Sequence, residues 1–139
     1  MTAKVSIIIV TYNSANYIEK LLRSILDFNK NSNYEIIIVD NNSTDNTLSV
    51  ISNFQFQISN FKLIQNKKNA GFAQGINIGA KNAKGEYLLF VNPDMEWKRG
   101  SIDGFVSVFK ADPEVGVIGG KILTREGRAE KSAGKFLKT

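Results

Sequence analysis

Asp94 closes the stretch Phe90-Val91-Asn92-Pro93-Asp94, which follows the apolar run Tyr87-Leu88-Leu89. Such a run reads as a buried strand. Asn-Pro-Asp ends it, because proline cannot continue a central ladder and favours a turn. The pattern predicts a carboxylate on a turn at the carboxyl end of a strand, the edge at which open α/β sheets bind ligands. A carboxylate so placed suits a divalent cation that in turn holds phosphate oxygens. Asp40 ends a second predicted strand, and Thr11-Tyr12-Asn13 ends a third. If the strands are parallel, the three ends share one edge. Asp40 is then expected to accept a hydrogen bond from a base N–H, such as the imide of uracil or thymine. Thr11 and Tyr12 are expected to offer backbone groups and a ring face to the same base. Asp94, through its metal, would hold a diphosphate. Each strand-end Asp also has a plainer reading as a cap or turn former.

Composition narrows the chemistry. The 139 residues include no cysteine and no histidine. Disulfides, thiolate metal sites, the usual zinc ligands and any Ser-His-Asp triad are excluded. A bound metal must take oxygen ligands, which points to Mg2+ or Mn2+. The net charge of +5 comes from scattered lysines and arginines, mildly concentrated from Lys121 to Lys138, and reads as a solvated surface with no nucleic-acid partner. No stretch approaches the ~20 apolar residues that span a bilayer. Met1-Thr2-Ala3-Lys4 runs straight into a strand-like segment, leaving no room for a signal peptide, so a cytoplasmic location is expected.

The elements that must position these residues follow from periodicity. Val5 to Val10 and Tyr34 to Val39 are β-branched apolar runs that suit strands buried on both faces. Between them, Ile18, Leu21, Leu22, Ile25 and Leu26 mark one helical face, with Ser14 as its cap candidate. Leu48, Ile51 and Phe54 predict a short second helix, capped at Asn42 or Ser43, with Asp45 in its first turn. Phe61 to Ile64 is a third strand. A third helix enters at Gly71, turns Phe72, Ile76 and Ala80 inward and stops at Lys84-Gly85. The strand before Asp94 is the fourth. A helix on Ile102, Phe105, Val106 and Phe109 ends at Asp112-Pro113, and Val115 to Leu123 reads as a fifth strand broken by Gly119-Gly120. A short hairpin strand is expected near Phe136. The alternation predicts an α/β fold with a mostly parallel central sheet and helices on both faces, in one domain over residues 1–139.

Other residues carry weaker signals. Gly71, Gly75 and Gly79 match neither a Walker A loop nor a dinucleotide fingerprint, so they read as a helix cap and as sites of close packing. Lys67 and Lys68 face either phosphates or solvent. Trp97 is either a stacking platform for a sugar or an anchor for the fourth helix. Glu96 is a further candidate metal ligand, and Asn77 has structural and functional readings in balance.

In order and spacing, four segments resemble the family 2 glycosyltransferases. They are Val5-Ser6-Ile7-Ile8-Ile9-Val10-Thr11-Tyr12-Asn13; Ile38-Val39-Asp40-Asn41-Asn42-Ser43-Thr44-Asp45; Asn69-Ala70-Gly71-Phe72-Ala73 with Asn77-Ile78-Gly79; and Gly85 to Asp94. Asp-Asn-x-Ser with Asn-Pro-Asp, and Val115 to Ile122, are most similar to the bacterial rhamnosyltransferase-like branch. The resemblance implies a GT-A fold whose nucleotide-binding half is Rossmann-like. It implies transfer of a sugar, with inversion, from a UDP- or dTDP-sugar to a glycan or lipid-linked glycan in cell-surface polysaccharide synthesis. It also implies Mg2+ or Mn2+ as cofactor. On this resemblance Thr11, Tyr12, Asn13, Asp40, Asn42, Asn69, Gly71 and Asn92 are the donor-nucleotide residues and Asp94 the metal ligand. Asn92 stands where the family's Asp-x-Asp motif has its first acid, and Asn41 where its Asp-Asp pair has its second.

The resemblance also implies an acceptor-binding part, with its general base, beyond this region. No catalytic base is expected within the chain, since Glu126 and Glu130 sit in a polar tail. The chain then corresponds to the donor-binding part of a longer enzyme, at the inner face of the membrane and with scope for self-association. Two other readings remain at this point: a nucleotide-sugar-binding module without catalysis, and a phosphoacceptor domain using Asp40. The last lacks the acidic cluster it would need at the first strand's end.

Overall fold

A computed structural model describes residues 4–98 and 100–130. The two isoleucine-rich runs form its centre. β1 (Val5–Thr11) is buried along its length and β2 (Tyr34–Asp40) at every residue after the first. β3 (Phe61–Gln65) flanks β2, and β4 (Tyr87–Phe90) flanks β1. The order is β3-β2-β1-β4 with every pairing parallel, as the α/β reading requires. Thr11 pairs with Asp40 and Ile8 with Phe90, so β1, β2 and β4 all direct their carboxyl ends to one edge.

Strand alternation sends successive side chains to opposite faces. Val5, Ile7 and Ile9 pack with Ile18, Leu21, Leu22 and Ile25 of α1 (Ala15–Phe28). Ile51 of α2 (Thr47–Ser52) and Ile102 and Val106 of α4 (Ile102–Ala111) join the same cluster. Val10, Ile37 and Val39 face the other way and meet Ile76 and Ile78 of α3 (Phe72–Asn82). α3 seats closely because glycines face the sheet. A Cβ on Gly75 would stand 2.7 Å from Val10 Cγ1, and one on Gly79 would overlap Ile8 Cγ2. These glycines take the inward positions, and Phe72, expected to point inward, is 56% exposed at the helix entry.

At the amino edge of the sheet lies a second polar lock. Glu35 is buried, and its Oε1 accepts hydrogen bonds from the Ser6 hydroxyl at 2.6 Å and the Lys84 N–H at 2.7 Å. The Gly85 N–H donates to Ser6 Oγ at 2.8 Å. The link from α3 into β4 is thereby fixed to β1 and β2.

Residues up to Val106 form one compact unit, and those from Ser107 onward form another. Among the described residues of the second unit no strand forms over Val115 to Leu123. The observed feature is a turn closed by the Thr124 N–H on the Arg128 carbonyl at 2.8 Å, with a single antiparallel bridge between Leu123 and Ala129. Apolar β-branched residues make a strand only against a partner edge, and here Val117 stands 90% exposed. The hairpin expected near Phe136 lies outside the described residues.

Candidate functional site

The chain runs outward from β1 to β2 and β3, then crosses to the other flank of β1 to form β4. Strand order thus reverses between β1 and β4, the position where open α/β sheets leave a ligand crevice at their carboxyl edge. Tyr12 follows β1 and the Asn-Pro-Asp turn follows β4, so both border that position.

Hydrogen bonds lace the rim together. Asp40 is 0% exposed, and its Oδ1 accepts from the Thr11 hydroxyl at 2.8 Å and the Ser43 hydroxyl at 2.6 Å. Its Oδ2 accepts from the Ser43 N–H at 2.9 Å. A buried carboxylate requires such partners, because desolvating it alone is costly. The Asn13 N–H donates to Ser43 Oγ at 2.9 Å, and Asn13 Oδ1 accepts from the Thr44 N–H at 2.8 Å. Asn13 and Asn42 both adopt positive φ, +48° and +63°, a conformation that asparagine tolerates better than most residues. Asp45 precedes α2 and serves two helices. Its Oδ1 accepts from the Thr47 N–H at 2.9 Å, and its Oδ2 from the Ala15 N–H, the first of α1, at 3.2 Å. The Thr47 hydroxyl bond, followed by these backbone bonds, holds the Asp45 carboxyl below its usual range. Ser14, the expected cap of α1, makes no side-chain cap bond.

The third loop joins through Asn41, which is 2% exposed. Its Nδ2 donates to the Gly71 carbonyl at 3.1 Å, and its Oδ1 accepts from Asn66 Nδ2 at 2.8 Å. Asn69 Oδ1 accepts from the Gly71 N–H at 2.9 Å, shaping a turn in which Gly71 has φ +84°. Positive φ there suits glycine.

The fourth loop is the Asn-Pro-Asp turn. The Met95 N–H donates to the Asn92 carbonyl at 3.1 Å, and both Asn92 and Asp94 are exposed. Asp94 makes no hydrogen bond or ion pair with another described residue. Two buried polar groups, Ser24 in α1 and Asn29 just after it, hold the segment that follows. Ser24 Oγ accepts from the Trp97 N–H at 2.9 Å, and Asn29 Oδ1 from the Ile102 N–H at 2.7 Å.

The geometry therefore sorts the expected residues. Tyr12, Asn42, Asn69, Gly71, Asn92 and Asp94 have exposed surface on the carboxyl-edge loops. Asp40 and Thr11 are buried and bond each other, which ties the end of β1 to the end of β2. Asn13 is exposed, but its amide oxygen ties two loops. Trp97 is an anchor, packed edge-to-face on Phe105 at 6.0 Å with its ring N–H on the Gly100 carbonyl. Glu96 pairs with Lys98 at 2.8 Å, which holds its carboxyl below the usual range. Lys67, Lys68 and Asn77 are solvent-facing. Among the described residues no three acidic side chains gather into a metal cluster. Sequence reasoning missed Ser24, Asn29 and Asn66. Their spacing carries no signal, because each acts on a distant backbone or amide group.

The family model described as glycosyl transferase family 2 matches residues 6–137. The chain belongs to that family. An uncharacterized glycosyltransferase of Nostoc is 36% identical over 115 residues, covering 83% of this chain and 35% of that protein. The poly(ribitol-phosphate) β-N-acetylglucosaminyltransferase TarS of Staphylococcus aureus is 39% identical over 94 residues, covering 66% of this chain and 16% of TarS. The crystal structure of TarS residues 1–349 with UDP-GlcNAc superposes with a TM-score of 0.70 at 33% identity, covering 78% of this chain and 31% of that one. The mannosyltransferase PcManGT of Pyrobaculum calidifontis, solved with GDP-Man and Mn2+, superposes with a TM-score of 0.71 at 27% identity, covering 84% of this chain and 34% of that one. This member of family 2 thus spans about a third or less of the length of these relatives. Its parallel sheet is that of the GT-A glycosyltransferases. No helix among its described residues is long and apolar enough to cross a membrane.

Proposed function

We propose that this chain is the donor-binding part of a longer, inverting, metal-dependent glycosyltransferase. Its donor is a UDP- or dTDP-sugar, and its acceptor is a hydroxyl of a cell-surface glycan or lipid-linked glycan. The observation that carries the reading is the strand order. It makes β1 and β4 neighbours and sets the loop of Tyr12 beside the turn of Asp94 where the order reverses. The base lies against the exposed ring of Tyr12, with Asn42, Asn69 and Gly71 on the same rim, and the diphosphate reaches Asn92 and Asp94. Asp40, Thr11 and Asn13 hold the loops that present these groups.

Mg2+ and Mn2+ fit the turn, because such ions take one or two carboxylates and complete their shell with phosphate oxygens and water. Asp94 supplies one exposed carboxylate with no partner among the described residues, with the Asn92 amide oxygen two residues before it. Asp94 and Asn92 would hold such a cation, which would supply charge stabilisation for the departing diphosphate. The UDP-GlcNAc bound by TarS supports a uridine donor, and the Mn2+ in the mannosyltransferase complex supports the metal. In the transfer, the acceptor oxygen attacks the anomeric carbon opposite the diphosphate. The bond from that carbon to the phosphate oxygen breaks, and its electron pair leaves with the nucleoside diphosphate. The acceptor proton passes to a general base, which we assign to the part of the enzyme beyond this region. The setting we propose is the inner face of the membrane, where a lipid-linked acceptor is within reach.

Calorimetric titration with UDP and with dTDP, each with and without Mn2+, tests the reading. Binding that tightens with Mn2+ is expected, and no binding of either nucleotide overturns it. Release of sugar from the donor then separates a transferase from a module that only binds.

A further inference from the structure

We infer that Asn41 is a positioning residue whose carboxamide, as distinct from a carboxylate, sets the shape of the nucleotide rim. The inference rests on the donor-binding reading above and names a determinant within that site. The side chain uses both ends. Its Nδ2 donates to the Gly71 carbonyl at 3.1 Å, and its Oδ1 accepts from Asn66 Nδ2 at 2.8 Å. A carbonyl can only accept, so the amide nitrogen must face Gly71, and the orientation follows from the network itself. The Gly71 carbonyl also accepts the first hydrogen bond of α3, from the Gly75 N–H at 3.1 Å. One oxygen therefore joins the start of α3 to the end of β2.

Two backbone bonds, one from Asn41 and one to its neighbour Asp40, lie beside this side chain. The Asn41 N–H donates to the Thr11 carbonyl, and the Asn66 N–H to the Asp40 carbonyl, each at 2.8 Å. The segments after β1, β2 and β3 thus meet at Asp40 and Asn41, and the Asn41 side chain, in a residue 2% exposed, carries the ties to Asn66 and Gly71. An ionised aspartate at position 41 keeps the acceptor for Asn66 but has no hydrogen to give Gly71. It would set two oxygens against each other in a buried place. The Asn-for-Asp departure at this position is therefore built into the rim and is complemented by Asn66.

The test is Asn41→Asp in the full chain, with UDP and Mn2+ as probe. At about pH 8 the variant should bind UDP about tenfold more weakly, the scale of one lost buried hydrogen bond with its repulsion. Toward about pH 5 the gap to the parent should narrow, because a protonated carboxyl regains a donor for Gly71. The other titratable groups on the surrounding segments are Tyr12, Asp40, Asp45, Lys67 and Lys68. The parent run in parallel carries their titration. Hydrogen exchange of the Gly75 amide reads the tie without any nucleotide and should be faster in the variant. If Asn41→Asp does not fold, Asn66→Ala takes its place, with a smaller acceleration of the same amide. UDP binding equal to or tighter than the parent's, or a pH-independent deficit, overturns the inference. So does unchanged exchange at Gly75 in a folded variant. If the parent binds neither UDP nor dTDP the donor-binding reading fails, and the Gly75 exchange still decides the role of Asn41.

Discussion

β2 carries a buried carboxylate near each end. Glu35 at the amino edge is 8% exposed and Asp40 at the carboxyl edge 0%, and each has its donors supplied by the protein. The surroundings differ. Glu35 gathers a hydroxyl and a backbone N–H on a single oxygen and locks the link from α3 to β4. Asp40 spreads its bonds over both oxygens and lies inside a web that also includes Asn13, Ser43, Asp45 and Asn41. Exposed groups border that web: Tyr12, Asn42, Asn92 and Asp94. Burial of an acid is therefore not what separates the proposed donor-binding edge from the opposite one. The difference lies in whether unpartnered polar surface stands beside it.

Substitutions at both ends break or sharpen this contrast. Asp40→Ala should have the largest effect, roughly 3 kcal/mol of stability by urea unfolding, since it strands the Thr11 hydroxyl and both Ser43 donors. UDP affinity should fall with it, and retained binding would detach the rim from its anchor. Glu35→Ala should cost about 2 kcal/mol, while Glu35→Gln should cost about 1 kcal/mol or less, because one amide oxygen can serve both donors that meet at Oε1. Neither Glu35 variant should alter UDP affinity when assayed well below its unfolding midpoint. Asp94→Ala should change stability by no more than about 0.5 kcal/mol, as expected for an exposed side chain without partners among the described residues. It should abolish the effect of Mn2+ on UDP binding. A metal effect that survives would move the cation elsewhere.

The smallest effect belongs to Asp45. Its carboxyl lies below the usual range because the Thr47 hydroxyl and neighbouring N–H groups bond the charged form. A folded-state value below the unfolded one stabilises the fold above the unfolded value. That contribution is lost as pH falls through the folded one. Urea midpoints measured at neutral pH and again near pH 3 should converge between the parent and Asp45→Asn at the acid end. A gap that is constant across that range would remove the carboxylate from the helix starts.

Much of the fold was legible in the chain. After Ser6 and Glu35, the runs Ile7 to Val10 and Ile36 to Val39 are apolar at every position, which a strand covered on both faces accommodates. The i, i+3, i+4 spacing of Ile18 to Leu26 marked α1 in the same way. Val115 to Leu123 shows the limit of such reading. Its composition suits a strand, yet a strand exists only when another edge is present to pair with it. Phe72 shows a second limit, since two glycines, lacking side chains, took the inward face and left the aromatic exposed.

The sequence by itself determined the alternation of strands and helices, the oxygen-only ligand chemistry and the strand-end location of Asp40, Asn41 and Asp94. These depend on residue type and local period, which are properties of the chain alone. Tertiary structure decided which of those polar groups remain available. Whether a carboxylate is consumed by Thr11 and Ser43 or left open at a turn depends on groups far along the chain. Whether an amide is turned toward Gly71 likewise depends on its neighbours in space. A hydrogen bond is satisfied by proximity, and proximity between loops is not encoded in any one of them.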